Sequence, residues 1–131
     1  MVQDFTSVNN VALIQRGIIM KFFINEEQRK NSHSTCYLEF QKGYYQDVCW
    51  LNTSISINDV LWDEYQVSKL ILEVVPEFDF YGLTVITKEQ WDSIVMKSQK
   101  EGCICKEIIA EAIPWATKCF ETNDVFTILG I

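Results

Sequence analysis

The stretch that decides the fold reads Phe78-Asp-Phe-Tyr-Gly-Leu-Thr-Val-Ile-Thr-Lys-Glu-Gln-Trp-Asp-Ser-Ile94. Within it, Leu83 to Ile86 is apolar and rich in β-branched side chains, which predicts a strand. Thr87 is followed three residues later by Gln90, and this spacing is typical of a capping box. The stretch therefore predicts a strand that runs directly into a helix beginning near Lys88.

The first half of the chain predicts further strands. Gly17 to Ile24 is short and rich in Ile and Phe, as buried strands are, and the polar run Asn25 to Ser34 predicts a loop or a short exposed turn of helix. Thr35 to Phe40 alternates like a half-buried strand, and Lys42 and Gly43 predict a hairpin turn. A third strand is predicted from Tyr44 to Leu51. Alternation around Ile55 and Ile57 predicts another, so we expect an antiparallel meander.

The second half predicts helices and a returning strand. An apolar stripe is formed by Val67, Leu70, Ile71 and Val74, and Pro76 ends this helix. Whether Val60 to Trp62 belongs to the helix or to a strand before it stays open. A later stripe runs from Ile104 to Cys119, and Pro114 predicts a kink or break at Ile113. The β-rich run from Asp124 to Leu129 predicts a strand that returns to the sheet. We therefore expect an α+β fold, with a mainly antiparallel sheet and about three helices packed on it.

Length and composition predict one domain over residues 1–131. The chain has 131 residues, of which 48% are hydrophobic and only seven are glycine or proline. This length is enough for one well-formed hydrophobic core but too short for two. Met20 directly precedes Lys-Phe-Phe-Ile, which is a common opening of a strand. Residues 1–19 are therefore a candidate N-terminal extension, and whether the true start is Met1 or Met20 stays open.

Charge and cysteine content limit the partners. The chain has 18 acidic and 11 basic side chains, for a net charge of −7. Because phosphate binding requires a basic surface, nucleic acid is not expected as a partner, whereas a basic protein is compatible with this charge.

The apolar run from Val11 to Phe23 is interrupted by Gln15, Arg16 and Lys21, and no membrane span or export signal is predicted. An odd number of irregularly spaced cysteines predicts reduced thiols in the cytoplasm.

The sequence offers little for catalysis, cofactors or metals. His33 is the one histidine and has Cys36 nearby, but a nucleophile and its base also need a third, orienting group. Cys103, Cys105 and Cys119 lack the usual spacing and number of zinc ligands. Residues i and i+2 of a helix point to different sides, so we interpret these thiols as buried apolar groups. The five glycines do not form a phosphate-binding loop, and we expect no catalytic residue, no cofactor and no metal.

Carboxylates interleaved with aromatic rings are the distinctive feature. Such a mixture suits a protein-binding surface, because rings supply contact area and carboxylates attract a basic partner. The alternative interpretation is that the rings belong to the core and the acids only solubilise the protein. The residues predicted to contact a partner are Asp63, Glu64, Glu77, Asp79, Tyr81, Tyr44 and Tyr45.

Several short segments of the sequence resemble those of small bacterial immunity proteins that accompany polymorphic toxins, including the immunity proteins of contact-dependent growth inhibition. They are Phe78-Asp-Phe-Tyr-Gly-Leu-Thr, Thr87-Lys-Glu-Gln-Trp, Pro114-Trp and Val125-Phe-Thr-Ile-Leu-Gly-Ile. The likeness covers roughly residues 60–131. It lies in the order of these segments along the chain, because such proteins have many unrelated folds. The resemblance implies a cytoplasmic protein without catalytic residues that binds and neutralises a cognate toxin domain, often a nuclease.

Two rival functions make different structural predictions. A small enzyme that uses a carboxylate pair would place those acids in a concave pocket. An acidic binding module that mimics nucleic acid would array its acids in a regular stripe rather than in one patch around aromatic rings.

Overall fold

The computed structural model describes residues 20–131, which form a five-stranded antiparallel sheet and five helices. The α+β prediction is confirmed, with five helices in this part of the chain where about three were expected. The strands are β1 (Phe23–Ile24), β2 (Tyr37–Lys42), β3 (Ile55–Asn58), β4 (Leu83–Thr87) and β5 (Val125–Leu129). The helices are α1 (Glu26–Asn31), α2 (Asp59–Glu64), α3 (Val67–Val74), α4 (Lys88–Ser98) and α5 (Lys106–Thr122).

The strand-to-helix junction predicted from the sequence is confirmed. Strand β4 ends at Thr87 and α4 begins at Lys88. The Thr87 hydroxyl oxygen accepts a hydrogen bond from the Gln90 amide at 3.2 Å, and the Gln90 side-chain oxygen accepts one from the Thr87 amide at 2.9 Å. Both bonds of the capping box are therefore present, and they fix where the helix starts.

Replacement of Thr87 by alanine tests this junction. We expect T87A to lower the free energy of unfolding by about 1 kcal/mol, because one amide of the first turn of α4 loses its acceptor. Urea denaturation followed by circular dichroism measures the change. T87S keeps the hydroxyl and is the control that should lose less, and equal losses for the two variants would contradict the capping role.

The sheet is antiparallel, as predicted, but the predicted meander is wrong. The strand order is β1-β3-β2-β5-β4, so β5 lies between β2 and β4 instead of at an edge. All five residues of β5 are buried. A strand that is buried on both faces and paired along both edges belongs in the middle of a sheet, which explains why Val125 to Leu129 is almost continuously apolar.

One face of the sheet packs against α2 to α5 and forms the core. The strands contribute alternate residues such as Leu38, Phe40, Ile57 and Ile86. Phe126 of β5 lies at the centre of a cluster of aromatic rings. Its ring centroid is 5.3 to 5.8 Å from the rings of Phe40, Trp91, Trp115 and Phe120.

The predicted strand from Tyr44 to Leu51 is wrong, because residues 43–54 form a loop over the opposite face of the sheet. Two positions in it, Asp47 and Trp50, have φ of 64°, which a strand cannot accommodate. Gly43 begins the loop with φ of 75°. The loop joins β2 to its antiparallel neighbour β3, so a hairpin is present, with a long loop in place of a tight turn. We call residues 43–54 the outer loop.

The buried carboxylate of Glu39 holds the outer loop in place. Glu39 is 1% exposed, and its two oxygens accept hydrogen bonds from the backbone amides of Trp50 (2.8 Å) and Leu51 (2.9 Å). They also accept from the Ser54 hydroxyl (2.6 Å) and the Gln41 side-chain amide (3.1 Å). A carboxylate with four donors is satisfied without water or a cation. Glu39 is therefore a structural group.

Arg29 of α1 covers the outer loop from the other side. Its guanidinium lies 4.2 Å from the centroid of the Trp50 ring and forms an ion pair with Glu26 at 2.7 Å. The polar run Asn25 to Ser34 thus contains the short helix that was one of its two predicted forms. Arg29 is nevertheless buried, because its charge is paired and stacked.

The segment from Asp59 to Pro76 contains two helices. Val60 to Trp62 belongs to α2, which resolves the question that the sequence left open, and α3 carries the predicted stripe. Gln66 separates them with φ of 55°. The helix α3 ends at Val74, two residues before Pro76, as predicted.

Of the kink or break predicted at Ile113, the break is wrong, since α5 continues from Lys106 to Thr122 through Pro114, and the kink stays a prediction. Proline removes the hydrogen bond to the carbonyl of Ala110, but Ala110 and Pro114 are both exposed, so water can reach that carbonyl. Ala112 and Ala116 are buried on either side and keep the helix on the sheet.

Of the predicted strand Gly17 to Ile24, only Phe23 and Ile24 are in β1; residues 17–19, like the rest of the candidate extension 1–19, lie outside the described residues. Glu111 of α5 accepts hydrogen bonds from the backbone amides of Lys21, Phe22 and Phe23 at 2.7 to 2.8 Å. Glu111 thereby ties β1 to α5.

Between residues 20 and 131 none of the helices has the length and apolar character that crossing a membrane requires.

Candidate protein-binding surface at one end of the sheet

Five of the seven predicted contact residues lie at one end of the sheet, where β4 begins and β5 ends. We call Asp63, Glu64, Glu77, Asp79 and Tyr81 the acidic end. The first two lie on α2, which directly follows β3, and the other three lie in the segment that leads into β4. The two segments meet through the core, because the Trp62 and Phe78 ring centroids are 5.9 Å apart.

The helix α2 presents its acids because its buried side is fixed. The Asn58 side chain accepts a hydrogen bond from the Leu61 amide at 2.9 Å and caps the helix. Trp62 is fully buried, and its ring N–H donates to the Ser68 hydroxyl at 2.7 Å. Asp63 and Glu64, the next two residues, are exposed.

The turn before β4 is built around the Asp79 carboxylate. Its Oδ1 accepts a hydrogen bond from the Tyr81 amide at 2.9 Å, and the Asp79 amide donates to the Thr84 hydroxyl at 3.0 Å. Gly82 is required here, since a Cβ at this position would lie 2.6 Å from Asp79 Oδ2. The turn leaves Tyr81 78% exposed, with its ring edge-on to Phe80.

Tyr44 and Tyr45 do not join the acidic end. The Gly43 amide, next to Tyr44, donates to the Val125 carbonyl at 3.0 Å, whereas the Ile131 amide donates to the Phe80 carbonyl, next to Tyr81. The two positions are therefore separated by the length of β5, roughly 20 Å. Tyr44 is 62% exposed. The Tyr45 hydroxyl lies 3.8 Å from the Cys49 sulfur, and this hydrogen bond raises the pKa of Tyr45.

The predicted interleaving of acids with aromatic rings holds only in part. Trp62 and Phe78 are buried, and Phe80 is half-buried. Tyr65 is also half-buried and packs against Phe22 at 5.3 Å. Tyr81 is therefore the one largely exposed ring among the described residues at the acidic end. The alternative interpretation, that the rings belong to the core, is correct for the others.

Sequence reasoning missed two residues on α2, the half-buried Asp59 and the exposed Val60. Asp59 is the first residue of the helix, and Val60 is 65% exposed. The signal was present in the sequence, because Asn58 followed by an acidic residue is typical of a helix start. Val60 precedes Asp63 and Glu64 by three and four residues, so all three lie on one side of α2.

Negative charge is concentrated around this end. Residues 57–81 contain six acidic side chains and one lysine, and they account for five of the seven net negative charges. None of the ion pairs between described residues involves Asp59 or a carboxylate of the acidic end. Their field is therefore reduced by solvent and salt but not by a neighbouring cation.

Within residues 20–131, the histidine and cysteines named from the sequence lie in different parts of the fold. His33 and Cys36 are exposed, and His33 has φ of 59°. No group of three or more histidine, cysteine or acidic side chains in that part of the chain could hold a metal ion. Cys103 and Cys105 precede α5, so the prediction that a helix points them apart is wrong, and their sulfurs are 3.4 Å apart.

Comparisons of this chain with protein-family models, with curated proteins and with solved structures found no match.

Proposed function

We propose that this protein is an immunity protein that binds and neutralises a cognate toxin domain through the acidic end. The observation that carries the proposal is the concentration of exposed carboxylates beside the exposed ring of Tyr81, none of which forms an ion pair with another residue of the range 20–131. A nuclease domain must attract phosphate, so its active-site surface is basic, and an acidic protein surface is complementary to it. In this proposal the protein acts in the cytoplasm and has no catalytic role.

The surface offers both components of a protein-binding site. Carboxylates steer a basic partner and set its orientation, and those of the acidic end need not break an ion pair within residues 20–131 to do so. Tyr81 and the exposed side chains of Val60 and Leu83 supply apolar contact area nearby. Aromatic anchors surrounded by polar groups are typical of the residues that dominate binding energy.

The two rival functions have less support. A carboxylate enzyme would need its acids in a concave pocket, and the four cavities characterised between described residues are lined by other side chains. A nucleic-acid mimic would need a regular acidic stripe. The acids instead lie on one short helix and one turn around Tyr81, which favours a compact protein-binding patch.

Charge reversal with a matched control tests the proposal. We expect D63K/E64K/E77K to weaken binding of the toxin domain by roughly 100-fold, because attraction becomes repulsion at three positions. E89K/E121K/D124K makes the same charge change at the opposite end of the sheet and should bind within a few-fold of the natural protein. The partner to be used is the C-terminal domain of a large secreted protein encoded immediately upstream of this chain, and the lack of such a gene would count against the proposal. Titration calorimetry and rescue of cells that express that domain measure the effect.

The outcomes separate the acidic end from net charge. Equal weakening by both triple variants would mean that total charge, and not this surface, determines binding. If the natural protein neither binds the toxin domain nor rescues the cells, the immunity function itself is wrong. Circular dichroism of both variants shows whether each has folded before its binding is compared.

A further inference from the structure

Two cysteine thiols lie side by side in the turn that connects α4 to α5. The Cys103 and Cys105 sulfurs are 3.4 Å apart, within hydrogen-bond distance. The chain reverses at Gly102, whose φ is 84°, and α5 does not begin until Lys106. The two residues therefore lie on an irregular turn that directs both side chains to the same place.

The thiol pair forms part of the wall of a cleft. The cleft has a volume of about 280 Å³ and lies between α3 and the α4–α5 turn. Lys69, Lys97 and Lys100 line it together with Glu73 and Glu101. The Lys97 Nζ and Glu73 Oε1 atoms form an ion pair at 3.8 Å. A small uncharged molecule can enter a space of this size, and its wall carries three lysines and two carboxylates.

The two thiols have different surroundings. Cys103 is half-buried, whereas Cys105 is 3% exposed. Burial, followed by the hydrogen bond to Cys103, raises the pKa of the Cys105 thiol to about 12. Cys105 therefore keeps its proton at neutral pH, and Cys103 is the sulfur that a reagent from solvent reaches first.

We propose that Cys103 and Cys105 form a redox-active dithiol that reduces hydrogen peroxide and closes to an intramolecular disulfide. This inference is independent of the proposed function, because the cleft does not include a residue of the acidic end.

The reaction has two steps with balanced atoms and electrons. The Cys103 thiolate attacks one peroxide oxygen, the O–O bond breaks, and hydroxide leaves to give a sulfenic acid at Cys103. The Cys105 sulfur then attacks the Cys103 sulfur, the S–O bond breaks, and the proton of Cys105 leaves with the hydroxyl as water. Two thiols lose two electrons and two protons in total, and peroxide becomes two molecules of water. The sulfurs must approach from 3.4 Å to the disulfide length of about 2.05 Å.

The sequence allows a direct test by peptide mapping. Trypsin cleaves after Lys100 and Lys106, so Cys103 and Cys105 share one short peptide, residues 101–106. Cys36, Cys49 and Cys119 fall in three other peptides. Reduced full-length protein is treated with hydrogen peroxide, alkylated and digested. We expect the 101–106 peptide to lose two hydrogens and both alkylation sites, and to regain them after reduction.

The exposed thiols of Cys36 and Cys49 are internal controls for unselective oxidation. We expect the 101–106 peptide to close while these two cysteines are still largely alkylated. If Cys36 and Cys49 are consumed first while Cys103 and Cys105 remain alkylated, the proposal is wrong.

Two serine variants test the assigned roles. C105S removes the second thiol, so the disulfide cannot form. Peroxide should then convert Cys103 to the sulfenic acid and after that to the sulfinic acid. In C103S, Cys105 should stay reduced, because the buried thiol lacks its accessible neighbour. It should therefore be alkylated when the protein is unfolded for labelling. Oxidation of Cys105 in C103S at the rate found for the natural pair would overturn the assignment of Cys103 as the attacking sulfur.

Discussion

Replacement of Glu39 by alanine is expected to lower the free energy of unfolding by about 3 to 5 kcal/mol. The carboxylate accepts four hydrogen bonds beneath the outer loop, two of them from the backbone amides of Trp50 and Leu51. Without it, these donors either stay buried and unpaired or the loop moves away from β2 to reach water. If the loop moves, Trp50 loses its position against Arg29.

Urea denaturation measures the stability of E39A, and limited proteolysis within residues 43–54 reports whether the outer loop has detached. E39Q keeps one acceptor oxygen and the side-chain shape, so it should lose less than E39A. E27A is the control, because Glu27 is exposed on α1 and makes no ion pair among the described residues. Similar stability of E39A and E27A would contradict the role assigned to the buried carboxylate.

The second large effect is expected for F126A, which should also cost about 3 to 5 kcal/mol. Phe126 is fully buried and contacts four aromatic rings, contributed by β2, α4 and α5. Removing its ring leaves a cavity that these rigid neighbours cannot fill. Domains of this size are typically stable by 5 to 15 kcal/mol, so this loss would leave F126A with little margin.

Thermal unfolding and near-ultraviolet circular dichroism test this prediction, since Trp91 and Trp115 both pack on the Phe126 ring. F120A removes the same ring from a half-buried position at the edge of the cluster and should cost less. Equal losses for F126A and F120A would show that Phe126 is not the centre of the core.

The elements with strong local signals were predicted from the sequence. The strand β4, the capping box at Thr87 and the strand β5 each depend on neighbouring residues, and the structure contains all three. The strand predicted from Tyr44 to Leu51 failed because its conformation is set by Glu39, a residue outside the segment. The continuity of α5 through Pro114 likewise depends on which side of the helix faces solvent.

The candidate site was predicted in composition but not in arrangement. Acidic residues could be named from the sequence, but only the strand order shows that Asp63 and Glu77 lie at one end and Tyr44 at the other. The position of Trp62 in the core could not be read from its acidic neighbours. The pairing of Cys103 with Cys105 was missed because the segment was interpreted as helix, whereas the helix begins one residue later.

The inserted position of β5 sets the order in which the protein can be assembled during synthesis. Strand β5 pairs with β2, which precedes it by more than 80 residues, and with β4. Contacts so distant along the chain form slowly, because a long loop must close before they contribute. Until a ribosome has released residues 125–129, β2 lacks its partner along one edge and β4 lacks its one partner in the described sheet, and unpaired strand edges make a nascent chain vulnerable to aggregation.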